Sequence, residues 1–415
     1  MPANNGAVAW SDRGGHRRWL AREADRILDF YQWTCLNPGG GFDWLDADAQ
    51  PMPDRRRELW INARMIYVHA LAHITGRPGA GDMVDHGLAY LNGAGRDREF
   101  GGWYSVLDAA GDPIVDDKLS YGHAFVLLAA STAALAGWEP ARKLLDEASR
   151  LIDERFWDEA QGLCADTYDR RWRHLEAYRG QNPNMHLSEA YLAAADATGD
   201  SAYLDRATRI ARRLIGEQAA GHDWRLPEHY TADWQPVLDY NSENPDDLFR
   251  PYGSLPGHWF EWARLITQLH ATQAGEPWML DAAKSLFSRG IEDGWDSDRG
   301  GLIFSVDFSG RPVNRDRFHW VTAEAIGAAA LLWRITGESE YQRWYQRFWS
   351  FADRYLIDRV HGGWHHQLDS DNRPVDSVWK GKPDAYHAYQ ATLFAGLDPR
   401  HGLAASLLAD EGVRS

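Results

Sequence analysis

"GWYSVLDAAGDPIVDD", residues 102–117, joins a glycine and a short alternating run to an aspartate and a turn-rich ending. An alternating run closed by Asp, Gly and Pro predicts a short β-hairpin. Four similar stretches and one weaker copy follow the same order: "GFDWLDADAQPMPD" (41–54), "GLCADTYDRRWRHLE" (162–176), "GLIFSVDFSGRPVNRD" (301–316), "GWHHQLDSDNRPVDS" (363–377) and the weaker "HDWRLPEHYTADWQPVLDYN" (222–241). The chain therefore contains six repeat units of roughly 60 residues. The fourth is lengthened by "NSENPDDLFRPYGSLPG" (241–257).

Two kinds of helical pattern lie between these hairpins. In "ARKLLDEASRLIDERFW" (141–157) and "YLDRATRIARRLIGE" (203–217), apolar residues recur at helical spacing beside charged ones, which predicts solvent-facing amphipathic helices. The other kind is apolar nearly all round, as in "LWINARMIYVHALAHITG" (59–76), "SYGHAFVLLAASTAALAG" (120–137), "NMHLSEAYLAAADATGD" (184–200) and "VTAEAIGAAALLWRITGES" (321–339). A helix without a polar face is buried on both sides.

Six buried helices alternating with six amphipathic ones predict an all-α fold, an (α/α)6 barrel with an inner and an outer ring and short β-hairpins at one end. An open α-solenoid would have the same helix-pair period. Closure is favoured by the count of six and by the lack of a polar capping repeat at either end. Because no Pro/Gly/Ser-rich linker interrupts the pattern, we expect residues 1–415 to form a single catalytic domain.

The bulk composition narrows the class of ligand. A net charge of -16 argues against nucleic acid or an anionic membrane as partner, because both require a basic face, and favours a small neutral substrate. The two cysteines, Cys35 and Cys164, form no CxxC motif, so neither a disulfide framework nor a thiolate zinc site is expected. No signal peptide or membrane-spanning run is apparent. These features predict a cytoplasmic protein. The expected assembly, a monomer or homodimer, does not follow from them.

Titratable side chains recur where the buried helices begin. The residues are Arg64, His123, His186, His258, His319 and His387. Taken singly, each histidine is more often a capping or core residue than a catalytic one. Together they predict a polar funnel at one end of the barrel, because buried polar groups are costly unless they are paired or used.

Three of these histidines have Glu or Gln three residues later: Glu189 after His186, Glu261 after His258, and Gln390 after His387. Residues three apart are neighbours on a helix surface. The spacing predicts that a carboxylate at i+3 orients the ring, as an acid–base catalyst requires.

Motifs of other chemistries are missing from the sequence. There is no HExxH or HxH metal motif, no phosphate-binding GxxxxGK[ST] or GxGxxG, and no GxSxG. His365 and His366 fall in a hairpin, where adjacent side chains point to opposite faces. We expect no metal and no cofactor, although ligands brought together by the fold stay an open alternative.

Several of these segments resemble the N-acylglucosamine 2-epimerase superfamily of sugar epimerases and isomerases. They are "WINARMIY" (60–67), "NPNMHLSEA" (182–190), "RPYGSLPGHWFEWARL" (250–265) and "KPDAYHAYQA" (382–391). The opening "HRRWLAREADRILDFYQW" (16–33) is most similar to the aldose–ketose isomerase branch that acts on D-mannose or sulfoquinovose. The resemblance covers nearly the whole chain and implies the same barrel.

The resemblance also implies roles for particular residues. In the family two histidines move protons without metal or nucleotide, and by motif they fall on His258 and His387. Arg64, Asn182, His186 and Glu261 match positions that bind the sugar or orient the catalytic groups, and Arg250 is a weaker match. Trp60, Trp259 and Trp320 are candidates to wall the pocket, with packing in the core as the alternative for each.

Aldose–ketose isomerisation suits these residues chemically. Histidine titrates near operating pH, so it can remove a proton from C2 and return it to C1 through a cis-enediolate. We assign this step to His387, and proton transfer at the ring oxygen and hydroxyls to His258, oriented by Glu261; the two roles could be exchanged. Arg64 and His186 would stabilise the enediolate. The expected reaction interconverts D-mannose and D-fructose.

Four alternatives stay open. A sugar 2-epimerase would use the same histidines, and a sulfoquinovose isomerase could use Lys380 and Lys382 for the sulfonate. A glycoside hydrolase needs two carboxylates, for which the candidates are Asp117, Asp166, Glu228 and Glu324. The last alternative is a non-catalytic sugar-binding or regulatory module. The long fourth hairpin, 222–257, is a candidate lid.

Overall fold

The computed structural model describes residues 8–414 except 53, 248, 274–275 and 379, with side chains described to residue 410. The predicted all-α barrel is confirmed. The six outer helices are α1 (Gly14–Tyr31), α3 (Ala80–Asn92), α5 (Glu139–Leu151), α7 (Ala202–Ala211), α9 (Pro277–Gly294) and α11 (Ser339–Phe351). The six inner helices are α2 (Leu59–Ile74), α4 (Ser120–Leu135), α6 (Gln181–Thr198), α8 (Pro256–Thr272), α10 (His319–Thr336) and α12 (Tyr386–Leu393).

Burial follows the sequence patterns. In α2 every residue from Leu59 to Ala72 is buried, whereas α5 buries one stripe and exposes its charged face. Three outer helices, α5, α7 and α11, continue into π-helical turns at Ile152–Phe156, Arg212–Ala219 and Ala352–Leu356. Short 3-10 turns occupy Trp10–Asp12 and Phe394–Gly396.

The inner ring is closed. Each inner helix packs against the next, and α12 returns to pack against α2, where the rings of Tyr67 and Tyr386 lie 5.5 Å apart. In an open solenoid the first and last inner helices would not be in contact. The solenoid alternative is therefore wrong.

A rim of hairpins surrounds the N-terminal ends of the inner helices. The strands are β1 (Arg57–Glu58), β2 (Val106–Leu107), β3 (Pro113–Val115), β4 (Lys118–Leu119), β5 (Trp157–Asp158), β6 (Leu163–Cys164), β7 (Thr167–Tyr168), β8 (Arg179–Gly180), β9 (His229–Tyr230), β10 (Ser305–Val306), β11 (Pro312–Asn314), β12 (Arg317–Phe318) and β13 (Gln367–Leu368). The segment leading into each inner helix pairs antiparallel with the next unit's hairpin, as in β1–β2, β4–β7, β8–β9 and β12–β13. The bridge of Lys382 to Leu45 joins the last unit to the first.

The repeated aspartate explains the tight turns. Its Oδ1 atom accepts backbone N–H groups of the following turn at Asp46, Asp108, Asp169, Asp307 and Asp369. In the weaker fourth copy, Thr231 Oγ1 accepts the N–H of Gln235 at 3.2 Å. Such side-chain bonds stabilise a turn locally, which is why the repeat is visible in the sequence.

One helix was not anticipated. α13 (Leu403–Arg414) follows the last unit and packs against α2, α4 and α6. Leu403 and Ala404 lie beside Leu135 and Ala193, near the C-terminal ends of the inner helices, so α13 covers the barrel end opposite the hairpins. None of the helices in the described part of the chain is long and apolar enough to cross a membrane.

Candidate active site

Two adjoining cavities lie at the hairpin rim. The inner cavity has a volume of about 70 Å³. It is lined by Arg64, Tyr121, Asn182, His186, Phe249, Pro251, Leu255, His258, Glu261, Phe304, Phe318, His319, Trp320, His366, Val378, Asp384 and His387. The outer cavity, of about 340 Å³, includes Trp44, Glu58, Trp60, Asp166, Tyr178 and Arg250 in its lining. Tyr121, Asn182 and Phe249 line both cavities.

Most of the residues predicted for the site meet at the inner cavity. They are Arg64, Asn182, His186, His258, Glu261, Trp320 and His387. Trp60 and Arg250 line only the outer cavity. Trp259 lines neither cavity: it is fully buried, and its Nε1 donates to Ser254 Oγ at 2.9 Å. Arg250 instead forms a two-point ion pair with Glu176, at 2.8 and 2.9 Å.

His258 is paired with a carboxylate from another segment. Its Nδ1 lies 2.9 Å from Oε2 of Glu228, which precedes β9 in the fourth unit. Gln181 Nε2 donates to the same carboxylate oxygen at 2.8 Å, and Trp262 Nε1 donates to Gln181 Oε1 at 2.8 Å. The expectation that Glu261 orients His258 is therefore wrong, because Glu228 already occupies Nδ1.

His387 has the same arrangement with a different partner. Its Nδ1 lies 2.8 Å from Oε1 of Glu324 on α10. Gln390, three residues after His387, has no hydrogen-bond partner for its amide among the described residues. Burial, reinforced by Arg64, lowers the pKa of His387 well below the usual imidazole value. The ring is therefore a neutral base at pH 7, and the Nδ1 contact leaves Nε2 for a ligand.

Two glutamates lie near His186: Glu261, which was expected beside His258, and Glu189, which was expected here. The Nδ1 atom of His186 lies 3.5 Å from Oε1 of Glu261 and 4.0 Å from Oε2 of Glu189. Burial lowers the pKa of His186 to about 4, so the ring is neutral at pH 7 despite these carboxylates. His186 can therefore contribute a hydrogen bond, but not a full charge, to a ligand.

Aromatic rings fix the remaining geometry. The Trp320 ring lies 5.1 Å from the His258 ring and 5.9 Å from the His387 ring, between centroids. The Arg64 guanidinium lies 4.4 Å from the Phe125 ring and 4.5 Å from the Tyr386 ring. Trp320 thus contacts both imidazoles, and Arg64 places a buried positive charge at the same cavity.

Sequence reasoning missed several groups. The Tyr121 hydroxyl oxygen accepts from Arg64 Nη2 at 3.1 Å, and Asp384 Oδ2 lies 3.4 Å from Arg64 Nη1. His366, assigned only to a hairpin, stacks on His319 with 3.9 Å between ring centroids. Tyr121 and Asp384 could have been found from their positions at or just before inner-helix starts, in "SYGHAF" (120–125) and "KPDAYH" (382–387).

One predicted histidine lies outside the site. His123 does not line either cavity; its ring packs 5.4 Å from Trp103 and 5.2 Å from Phe156. Its Nδ1 lies 2.8 Å from the carbonyl of Leu119. The repeat position therefore does not by itself bring a histidine into the cavity.

A group of possible metal ligands occurs at the cavity floor. Ligand atoms of His186, Glu189 and Glu261 lie within 4.8 Å of one another, and one imidazole with two carboxylates is a donor set that divalent metals use. Arg264 Nη2, however, lies 3.2 Å from Glu189 and 3.6 Å from Glu261. The Arg264 guanidinium thus offsets part of the negative charge at this group and would compete with a metal ion for the same carboxylate oxygens.

Residues proposed for sulfonate binding or glycoside hydrolysis have other partners in the structure. Lys382 is buried and donates to Asp358 Oδ2 and to the Gly362 carbonyl, both at 2.7 Å, so it is not free to bind a sulfonate. Glu228 and Glu324, two of the four hydrolase candidates, are the partners of His258 and His387. Asp166 lines the outer cavity, where burial raises its pKa to about 7.

Two imidazole–carboxylate pairs facing one cavity in an (α/α)6 barrel define an acid–base site of the kind that moves protons on a small molecule. The N-acylglucosamine 2-epimerase family model matches residues 40–391, and the chain belongs to this family. It is 46% identical to a D-mannose isomerase from Thermobifida fusca, over 96% of this chain and 98% of the relative.

Two further comparisons agree with this family. A solved structure of a D-mannose isomerase superposes with a TM-score of 0.87 at 32% identity, covering 98% of this chain and 100% of the other. A cellobiose 2-epimerase from Bacteroides fragilis is 25% identical, over 86% of this chain and 92% of the relative. The isomerase is thus the more similar of these two kinds of relative.

Proposed function

We propose that this protein is an aldose–ketose isomerase that interconverts D-mannose and D-fructose, and that the whole chain acts as one catalytic domain. The observation that carries the proposal is the pairing of His258 with Glu228 and of His387 with Glu324 at one cavity. The 46% identity to a D-mannose isomerase selects the sugar.

The chemistry follows from the free ring nitrogens. In the open-chain aldose, Nε2 of His387 takes the proton from C2, and the electron pair of that C–H bond forms the C1–C2 double bond of a cis-enediolate. The imidazolium then returns the proton to C1, while a proton moves from O2 to O1, leaving a carbonyl at C2. His258 performs the transfers at the oxygens and protonates the ring oxygen when the pyranose opens.

Charge on the enediolate needs stabilisation in a place with little water. Arg64 provides a cation, and Asn182 and His186 provide polar groups at the same cavity; no partner is seen for Asn182 Oδ1 among the described residues. Electrostatic interactions are stronger in such a buried site than in water. This donor set supports a reaction that uses neither metal nor cofactor.

The location and assembly of the protein stay predictions. Cys35 and Cys164 are both free and buried, as a reducing cytoplasm would leave them. A monosaccharide is the expected partner, and a monomer or homodimer is the expected assembly.

A sugar 2-epimerase is the second candidate, favoured by the similarity to a cellobiose 2-epimerase. It would use the same enediolate but return the proton to the opposite face of C2. Sulfoquinovose is less well supported as substrate, because Lys382 is held by Asp358 and Lys380 is exposed beside Asp376.

Proton NMR of EDTA-treated protein with D-mannose in deuterated water tests the proposal. We expect D-fructose carrying some deuterium at C1, formed at the same rate with and without an added divalent metal. Glucose labelled at C2 without fructose would identify an epimerase. An unchanged spectrum would contradict both, and a requirement for metal would contradict the cofactor-free mechanism.

A further inference from the structure

A buried arginine lies beneath the catalytic histidines and contacts three carboxylates. Arg264, on α8, has a side chain only 2% exposed. Its Nε lies 2.8 Å from Oε2 of Glu324, and its Nη2 lies 3.2 Å from Oε1 of Glu189 and 3.6 Å from Oε1 of Glu261. The assigned chemistry of the two histidines does not use this residue.

Glu324 links this arginine to His387. One oxygen of the carboxylate contacts Arg264 Nε, and the other contacts His387 Nδ1, each at 2.8 Å. A carboxylate held ionised by a guanidinium accepts the Nδ1–H of a neutral imidazole. That bond fixes the tautomer whose Nε2 lone pair is available to take a proton.

The neighbouring helix leaves space for the arginine. Gly327 lies inside α10, and a Cβ there would meet Cδ of Arg264 at 2.9 Å and the Phe394 ring at 2.8 Å. Glycine in a helix interior lowers helix stability relative to alanine. Glycine at position 327 therefore fits a helix that must leave room for the Arg264 side chain.

The charges around Arg264 come from several elements. Glu189 faces it from α6, Glu261 from α8, Glu324 from α10, Tyr386 from α12, and Tyr67 from α2. Burial raises the pKa of Glu324, and Arg264 is the strongest opposing influence. Without the guanidinium, Glu324 would hold a proton to higher pH and, once protonated, could donate to Nδ1 of His387 instead of accepting from it.

We propose that Arg264 is a positioning residue for the isomerisation, which acts on His387 through Glu324. The inference rests on the proposed function for its kinetic test, but its direct consequence is the tautomer of His387, which can be observed without substrate. Arg264 itself touches no reacting atom.

The kinetic test is a double-mutant cycle with R264M, E324Q and R264M/E324Q, together with the conservative R264K. We expect R264M to lower kcat by about 10²-fold, the lower end of a general base's contribution, with KM changed less than about 3-fold. The acid limb of the kcat profile should move to higher pH, and R264K should restore part of both. In the E324Q background, R264M should cost almost nothing more, because both residues act along one path.

The matched control is K118M, which removes another buried cation, paired with Asp97 at 2.8 Å away from both cavities. It should lower stability but leave kcat unchanged. An equal cost of R264M in the wild-type and E324Q backgrounds, or an unchanged kcat in folded R264M, would overturn the proposal.

A second readout separates this inference from the proposed function. In 15N-histidine NMR, with the His387 signals assigned by their loss in H387N, we expect the Nδ1–H tautomer in the wild type and a mixture in R264M. A wild type inactive on D-mannose would remove the proposed function while leaving this measurement intact. An unchanged tautomer in R264M would overturn the role of Arg264.

Discussion

His258 and His123 occupy similar places at the starts of two inner helices, yet their surroundings differ. His258 lines the inner cavity and has Glu228 at 2.9 Å on Nδ1. His123 packs among aromatic rings, and its Nε2 has no partner in the described part of the chain. The repeat therefore determines where a histidine lies on the inner helix. Whether that histidine can act as a catalyst depends on a carboxylate from another segment, such as Glu228 beside His258.

The difference lies in what each ring meets when it takes up a proton. Burial lowers the pKa of His123 to about 4 and that of His387 well below its usual value, so both rings are neutral at pH 7. A protonated His123 would have only the Leu119 carbonyl as an acceptor beside it. A ring beside a carboxylate can accept a proton, because the imidazolium that forms is stabilised in place. The following predictions test this contrast.

Removing a paired imidazole should have the largest effect. H387N should lower kcat for D-mannose by about 10³-fold or more, since a positioned general base contributes about 10²–10⁴-fold. H123N should leave kcat within about 2-fold while lowering the melting temperature. Steady-state kinetics and circular dichroism on both variants check this. Equal inactivation of a folded H123N would break the distinction between the two sites.

Removing only the carboxylate should have a smaller effect. E228Q keeps a hydrogen-bond acceptor near His258 but removes the charge that stabilises its imidazolium. We expect kcat to fall about 10–10²-fold with KM nearly unchanged, as for a group that supports a general acid–base catalyst. The control is E23Q, since Glu23 is a buried carboxylate bonded to Trp364 Nε1 at 3.0 Å, outside both cavities. A similar loss in E23Q would show a general effect of buried charge.

A buried histidine outside both cavities should affect stability rather than activity. His123 has a folded-state pKa of about 4 and an unfolded value near 6.5, so the unfolded chain binds more protons between these values. The free energy of unfolding should therefore fall as pH drops from about 6.5 to about 4, by up to ~1.4 kcal/mol per pH unit for this group.

H123L removes this proton-linked loss and should flatten the stability–pH curve in that interval. Urea denaturation at several pH values measures the slope. The control is F156L, because Phe156 packs against the His123 ring and its replacement disturbs the same aromatic cluster without removing a titratable group. An identical slope in wild type and H123L would show that His123 does not titrate on unfolding.

The fold was predictable because its signals are local. The turn aspartates bond to their own hairpins, and the all-apolar helices show their burial residue by residue, so the sequence contains both patterns. α13 belongs to no repeat unit and has no second copy for comparison. Its place depends on contacts with three distant helices, which no local pattern reports.

The location of the site could be predicted from the sequence, but the carboxylate partner of each histidine could not. Arg64, His186, His258 and His387 were expected at one mouth of the barrel and line one cavity there. The i+3 spacing brings Glu189 to 4.0 Å from His186 but does not supply the partners of His258 and His387, because these two rings face the barrel interior. Carboxylates from other segments reach them there, and only ring closure determines which ones do.

The smallest predicted effect concerns the loop that distinguishes the fourth hairpin from the other five. Phe249 on this loop lines both cavities and is 43% exposed. Its side chain therefore lies where the inner and outer cavities adjoin. We expect this loop to change position when a sugar binds, as a lid would.

Arg250 holds this loop through Glu176 and lies 3.8 Å above the Tyr178 ring. Because the pair is about one-third exposed, E176Q should weaken the closed position by at most ~1 kcal/mol, or about 5-fold. We expect cleavage within residues 241–254 to be about 2–5-fold faster in E176Q, and D-mannose to change the cleavage rate in the wild type. E99Q, which breaks the partly exposed pair with Arg170, is the control. If neither E176Q nor sugar alters cleavage, the long hairpin is a fixed part of the rim like the other five.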